Sequence, residues 1–292
     1  MTVAVTAAAV VVASRKRRRI RWGTVVSYTL LVGASLVALF PIFWTLSTSI
    51  KTRVDSYAIP PKFVQFSPTA KNYRQLFSNA EFTKALTNTI SITFTSTLLC
   101  VFVGSLAAYA LARTPRFPGR RPLEASLLLA RAIPGIVLMV PLYDVVTRLR
   151  LYDNRLALVV IYAAANLPFA IWLMTSFIEQ IPIELEECAR TDGAGRLAII
   201  LRIVAPLSLP GLAATMIFVA LLAWNEFLIP VILAGPRSKT LPVYISSFVS
   251  NRTLDWGPMA AASCLAIIPI ALLTIAVQRQ LVSGLTTGAV KQ

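Results

Sequence analysis

Carboxylates crowd one short stretch of this 292-residue chain. Glu184, Glu186 and Glu187 lie within one helical turn of each other, and Asp192 and Gly193 follow. Side chains of this kind can move protons, hold a metal ion or accept strong hydrogen bonds from a partner's cations. The rest of the sequence narrows the choice. It contains no histidine, which removes histidine-based triads and the common zinc sites. Its 3 cysteines, Cys100, Cys188 and Cys264, stand far apart with no CxxC spacing and read as small buried hydrophobes, so no metal site is expected. No glycine-rich phosphate loop of the Walker type occurs; if ATP drives this protein, another chain must bind it. Polar side chains also interrupt apolar runs at Arg131, Asn225 and Glu226. Those runs hold no paired carboxylates and no Ser–Lys arrangement on adjacent turns. No catalytic constellation can be assembled from them, which argues against an intramembrane enzyme.

The elements that must position these residues are apolar. Composition is 57% hydrophobic and only 14% charged, which is that of a membrane protein. A net charge of +16 could suggest nucleic acid, but the charges are scattered between apolar runs and form no single stripe. Residues 1–13 are apolar but too short to span a bilayer, which takes about 20 residues. A basic run from Arg15 to Arg21 comes after them, the reverse of a signal peptide, and reads as an anchor held in the cytosol. Six spans are expected, near 24–46, 86–111, 123–146, 156–178, 207–233 and 259–277. The chain therefore divides into a tail and anchor (1–23), an all-α membrane domain (24–277) with the acidic loop at 179–206, and a C-terminal tail (278–292). An even number of spans puts both termini on one side, the cytosol, and the acidic loop with them.

Within that loop, Pro182 suits a helix start, where its missing N–H costs little. The glutamates sit in the first turns, favourable against the helix dipole. Gly193 permits a sharp turn, and Pro206 and Pro210 punctuate the entry to the next span. A short helix held out of the membrane by turns is built to be gripped. The plainer alternative is a connecting loop that packs on its own protein. Arg131 precedes a break made by Pro134, Gly135 and Pro141 and falls near the bilayer midplane, counting about 1.5 Å per residue from the basic turn at 113–122. It either lines a path for polar substrate or pairs structurally with a partner subunit or backbone carbonyls. Asn225 could contact substrate or simply pack; Glu226, near the outer surface, could simply be wet. The hydroxyl residues of the second span, from Thr87 to Thr97, favour close helix packing over a wet path.

Glu187-Cys188-Ala189, followed after three residues by Gly193 and after nine more by Ile203 and then Pro206, is similar to the EAA loop (E-A-A-x3-G-x9-I-x-L-P) of ABC importer permeases. Asp192-Gly193-Ala194 narrows the resemblance to carbohydrate permeases of the maltose-transporter type. Cys188 stands where alanine is usual and Ala205 where leucine is usual; both are small or apolar. Trp224-Asn225-Glu226-Phe227 and the ending Gly284-Leu285-Thr286-Thr287-Gly288-Ala289-Val290-Lys291 also resemble that family. The resemblance implies a type I ABC importer permease fold with six transmembrane helices in a bacterial plasma membrane. It implies a second permease subunit, two ATP-binding subunits that carry ATP and Mg, and an extracytoplasmic solute-binding protein. No cofactor is expected on this chain. Glu187, Ala189, Asp192, Gly193, Ala194 and Pro206 would couple to the ATPase; Gly288, Ala289, Val290 and Lys291 would reach into it. Arg131, Asn225 and Glu226 are the candidate translocation path. The implied substrates are di- or oligosaccharides, with polyols or glycerophosphodiesters as the alternative.

Overall fold

The computed structural model describes residues 22–114, 117–249 and 254–289. The basic run before residue 22, the tail residues Val290 and Lys291, and the side chains of 276–289 lie outside what is described. Two units are distinguished, 1–44 and 45–292. The first contributes most of helix α1 (Trp22–Ser49), an apolar helix in which Ser27 and Thr29 donate to their own backbone, at the Gly23 (2.8 Å) and Val25 (3.0 Å) carbonyls.

In the second unit, short helices α2 (Arg53–Ser56) and α3 (Lys71–Ser78) lead into α4 (Ala80–Arg113). A broken pair follows, α5 (Arg120–Ala132) and α6 (Gly135–Arg148), then α7 (Arg155–Ile178). The acidic stretch forms α8 (Glu184–Thr191). After it, α9 (Arg196–Ile199), a π-helical turn (Ile200–Val204) and α10 (Ala205–Leu207) run into α11 (Leu209–Trp224). Helices α12 (Leu228–Leu233), α13 (Leu241–Ser246) and α14 (Trp256–Ala289) complete the chain. Four helices are long and apolar enough to cross a membrane, or six if each of two bent pairs counts as one span.

Small residues set the centre of this unit. Helices α4 and α7 lie against each other along Cys100, Gly104 and Ala108 on one side and Ala163 and Ala170 on the other. A Cβ built on Gly104 would sit 3.0 Å from that of Ala170, so the two backbones approach as closely as small side chains allow in lipid. Helix α11 packs into the same centre through Gly211, Ala214, Thr215 and Val219. The hydroxyl-rich face of α4 divides. Thr89, Thr93, Ser96 and Thr97 are buried, as the packing expectation requires, whereas Thr87, Ser91 and Thr95 form an exposed stripe at helical spacing.

Both bent pairs have local causes. Ile133 precedes Pro134 and takes an extended conformation, ending α5, and α6 leaves at 93°, whereas Pro141, expected to break the span too, lies inside α6. Pro206 has no N–H for the carbonyl four residues back, and the preceding turn widens to π form. The chain then bends by 76° at Ser208. The expected fifth span, 207–233, is therefore not one helix: it stops at Trp224, and after a turn at 225–227 the short α12 follows. Helix α12 folds back against α6, with Ile229 and Leu233 in one cluster with Met139 and Val146. Asp153, between α6 and α7, clamps the segment after α12 by accepting from the backbone N–H of Gly235 (2.9 Å) and Ser238 (2.8 Å) and from the Ser238 hydroxyl (2.7 Å). Burial works against its ionisation, but the hydrogen bonds from Ser238, Arg237 and Gly235 outweigh it and hold the carboxyl below the usual carboxylate range.

Candidate functional site

Helix α8 is one side exposed and one side anchored. Glu184 and Glu187 face outward; Glu187 makes no ion pair among the described residues. Cys188 is also exposed, so the expectation of three buried cysteines holds only for Cys100 and Cys264. Cys188 falls on the outer face of an amphipathic helix whose inner face is taken by Glu186 and Ala189.

The turn after α8 explains its residue types. The N–H of Ala194 donates to the Ala189 carbonyl at 2.9 Å and that of Gly193 to the Arg190 carbonyl at 3.0 Å. This pair of bonds closes the helix end as a Schellman motif, in which the residue at Gly193 must be left-handed. Its φ is +84°. Ala189 and Ala194, the two residues such a motif brings together, both pack against a cluster of Ala108, Ala112, Ile178 and Ile199. They therefore seat the helix and do not face outward. Asp192 and Pro206 are exposed. No atom lies within 4 Å of a Cβ built on Gly193, so what a Cβ there meets is backbone strain.

The sequence groups Glu186 with Glu184 and Glu187 as one wet face, yet Glu186 alone of the three is completely buried. Its Oε1 accepts from Arg113 Nε at 2.6 Å and its Oε2 from the Tyr109 hydroxyl at 2.7 Å. Arg113 also donates to the Ile181 carbonyl at 3.1 Å. The partners of Glu186 lie more than 70 residues away, beyond the reach of local pattern.

The three path candidates occupy separate surroundings. The Arg131 guanidinium lies 4.8 Å from the centre of the Phe169 ring, a cation–π contact, and makes no ion pair among the described residues. Asn225 is exposed, bonds its own helix at the Leu221 carbonyl (2.8 Å), and lines an open cavity of about 350 Å³ with Trp224, Phe227, Pro242 and Ile267. Glu226 turns the other way. It is half-buried, and its Oε1 accepts from the Ile229 N–H at 3.1 Å, capping α12. Beside it are the buried hydroxyls of Thr93, Tyr162 and Thr240. Glu226 thus holds the turn that breaks the fifth span. Gly288 and Ala289 lie at the end of α14.

Known proteins resemble this chain. Residues 100–287 match the family described as "Binding-protein-dependent transport system inner membrane component". The chain is 38% identical over 257 residues to "Probable ABC transporter permease protein y4oR" of Sinorhizobium fredii, covering 88% of this chain and 92% of that protein. It is 36% identical over 278 residues to "Trehalose transport system permease protein SugB" of Mycobacterium tuberculosis, covering 94% and 98%. Among solved structures it is similar to a chain of a bacterial ABC transporter involved in the import of the acidic polysaccharide alginate, with a TM-score of 0.74, 26% identity and coverage of 88% and 95%. This all-α fold is the type I importer permease fold. The matched region includes α8, the Schellman turn and both bent pairs, and the chain belongs to the family of inner-membrane permease components of binding-protein-dependent ABC transporters.

Proposed function

We propose that this chain is one of two related permease subunits of an importer for a di- or oligosaccharide, with α8 as the helix that an ATP-binding subunit grips. One observation carries the docking part: α8 is rigidly closed by the turn at Gly193 while Glu184 and Glu187 remain exposed. Carboxylates so placed can accept charge-assisted hydrogen bonds from a partner's cations. ATP and Mg then sit on the two partner subunits. The tail from Gly288 to Lys291 reaches toward them, and a solute-binding protein delivers substrate on the opposite face. The sugar reading is supported by the trehalose relative and by the alginate transporter.

Orientation follows from the same reading. Cysteines introduced at Glu184 and Lys291 are expected to react with impermeant thiol reagent only from the cytosol, and one at Lys62 only from outside. Labelling of position 184 from outside would sink the assignment, because no cytosolic ATPase could reach α8.

Arg131, Asn225 and Glu226 remain the proposed path, with Glu226 acting by shaping the turn that presents Asn225. The whole complex, purified with its binding protein, should show ATPase stimulated by one saccharide in a panel. Stimulation only by a polyol or glycerophosphodiester would replace the sugar reading. In the same preparation Arg131→Ala should lower uptake while the complex still assembles. Failure to assemble would make Arg131 an interface charge, and unchanged uptake would remove it from both roles.

A further inference from the structure

We propose that Glu186 is a positioning residue that makes α8 move as one body with α4, without itself touching the ATP-binding subunit. The inference rests on the reading of α8 as the docking helix and adds where its motion goes. Glu186 is 0% exposed, so no partner chain can reach it as the subunit stands. Both of its oxygens are committed to α4, one to Arg113 Nε at 2.6 Å and one to the Tyr109 hydroxyl at 2.7 Å. Tyr109 and Arg113 are four residues apart and so lie on one face of α4. The second arm of Arg113 reaches the Ile181 carbonyl at 3.1 Å, at the start of the segment that leads into α8.

The adjacent Glu187 is turned roughly 100° around the helix and is exposed. Two neighbouring carboxylates therefore divide the work: Glu187 faces the partner, and Glu186 ties the helix to its own subunit. Apart from this tie, α8 is seated by alanines, Ala189 and Ala194, whose contacts are small. Charge-assisted hydrogen bonds are about twice as strong as neutral ones, so the pair adds a directional anchor that such contacts lack. Helix α4 in turn packs against α7 and α11 and carries the exposed stripe Thr87, Ser91 and Thr95. A displacement of α8 is thus delivered to the helix at the centre of the membrane unit.

The test uses the complete transporter in proteoliposomes. Glu186→Gln keeps the shape but removes the charge. ATP-binding subunits should co-purify as before and substrate-stimulated ATPase should stay near wild type, while sugar moved per ATP falls about tenfold, a size typical of broken coupling. Tyr109→Phe, which spares the ion pair, should show a smaller loss in the same ratio. Uptake and ATPase falling in step, or a normal ratio, would overturn the proposal. Should Glu186→Gln not accumulate, Tyr109→Phe and a distance measurement decide. Spin labels at positions 99 and 184 should keep one separation with and without ATP in the otherwise wild-type complex; a change on ATP binding would overturn the rigid tie. Failure of the docking reading itself shows up separately, as normal uptake in Glu187→Lys.

Discussion

Gly193→Val is expected to abolish uptake and substrate-stimulated ATPase while leaving the permease folded in the membrane. The magnitudes separate these two outcomes. Gly193 has φ +84°, a left-handed conformation that costs an L-residue about 1–2 kcal/mol. A native domain has ~5–15 kcal/mol of stability, so this strain alone does not unfold the subunit. Nothing within 4 Å would collide with the new Cβ, so the chain has no steric reason to rearrange elsewhere. Relief comes most cheaply by opening the Schellman turn, which loses the bonds from Ala194 to Ala189 and from Gly193 to Arg190 and tilts the end of α8. The docking face then no longer fits its socket. Gly193→Asn, a residue that visits the left-handed region readily, should retain part of the activity. Glu187→Lys should match Gly193→Val in uptake by a different route, since it reverses an exposed charge and leaves the turn intact. Uptake, ATPase and co-purification of the ATP-binding subunits, measured together, check this. Normal uptake in both variants would remove α8 as the coupling element.

Gly211→Val should act on the fold and not on coupling. A Cβ at Gly211 would lie 2.4 Å from Cγ of Phe177 and 2.7 Å from its Cβ. Those atoms sit close to the α7 backbone, so the ring cannot swing away, and α7 and α11 must part. Overpacking of this kind costs about 1–3 kcal/mol or more, and here it falls where α11 meets the centre of the unit. The expected result is a strong loss of membrane-inserted, assembled subunit, with uptake falling in proportion. Phe177→Ala in the same chain should restore part of the assembled protein, because it removes the ring contact at 2.4 Å but keeps the Cβ at 2.7 Å. Full accumulation of the single variant, or no rescue in the double, would show that the α7–α11 contact does not depend on this glycine.

Much of this protein is legible along the chain. Long apolar runs with few charges require helices in a bilayer, because only internally bonded backbone is tolerated there. The break at Pro134 and the turn at Gly193 occur where the sequence puts them, for local steric reasons, and Pro206 marks the entry to the next apolar run, where the chain bends at Ser208. The acidic, amphipathic pattern of 184–191 likewise specifies a short helix by itself.

Other features depend on neighbours distant in sequence. No local pattern says that Glu186 is buried while Glu187 is exposed, since the difference is made by Tyr109 and Arg113 on another helix. The break at 225–227 itself carries no proline or glycine; Pro230 leaves the Glu226 carbonyl without its helical N–H, and the Glu226 side chain and the packing of α12 on α6 hold the turn. Which hydroxyls of α4 pack and which face outward is decided by where α7 and α11 lie, not by their spacing along α4. Ala189 and Ala194 look like part of a docking surface in one dimension. In three they are the inner contact of the turn, because the backbone bonds around Gly193 fold them onto the core. Local steric and hydrophobic rules act within a few residues and so can be read from sequence. Burial, ion pairing and the direction a helix face points arise only when separate helices meet, and those the tertiary structure decided.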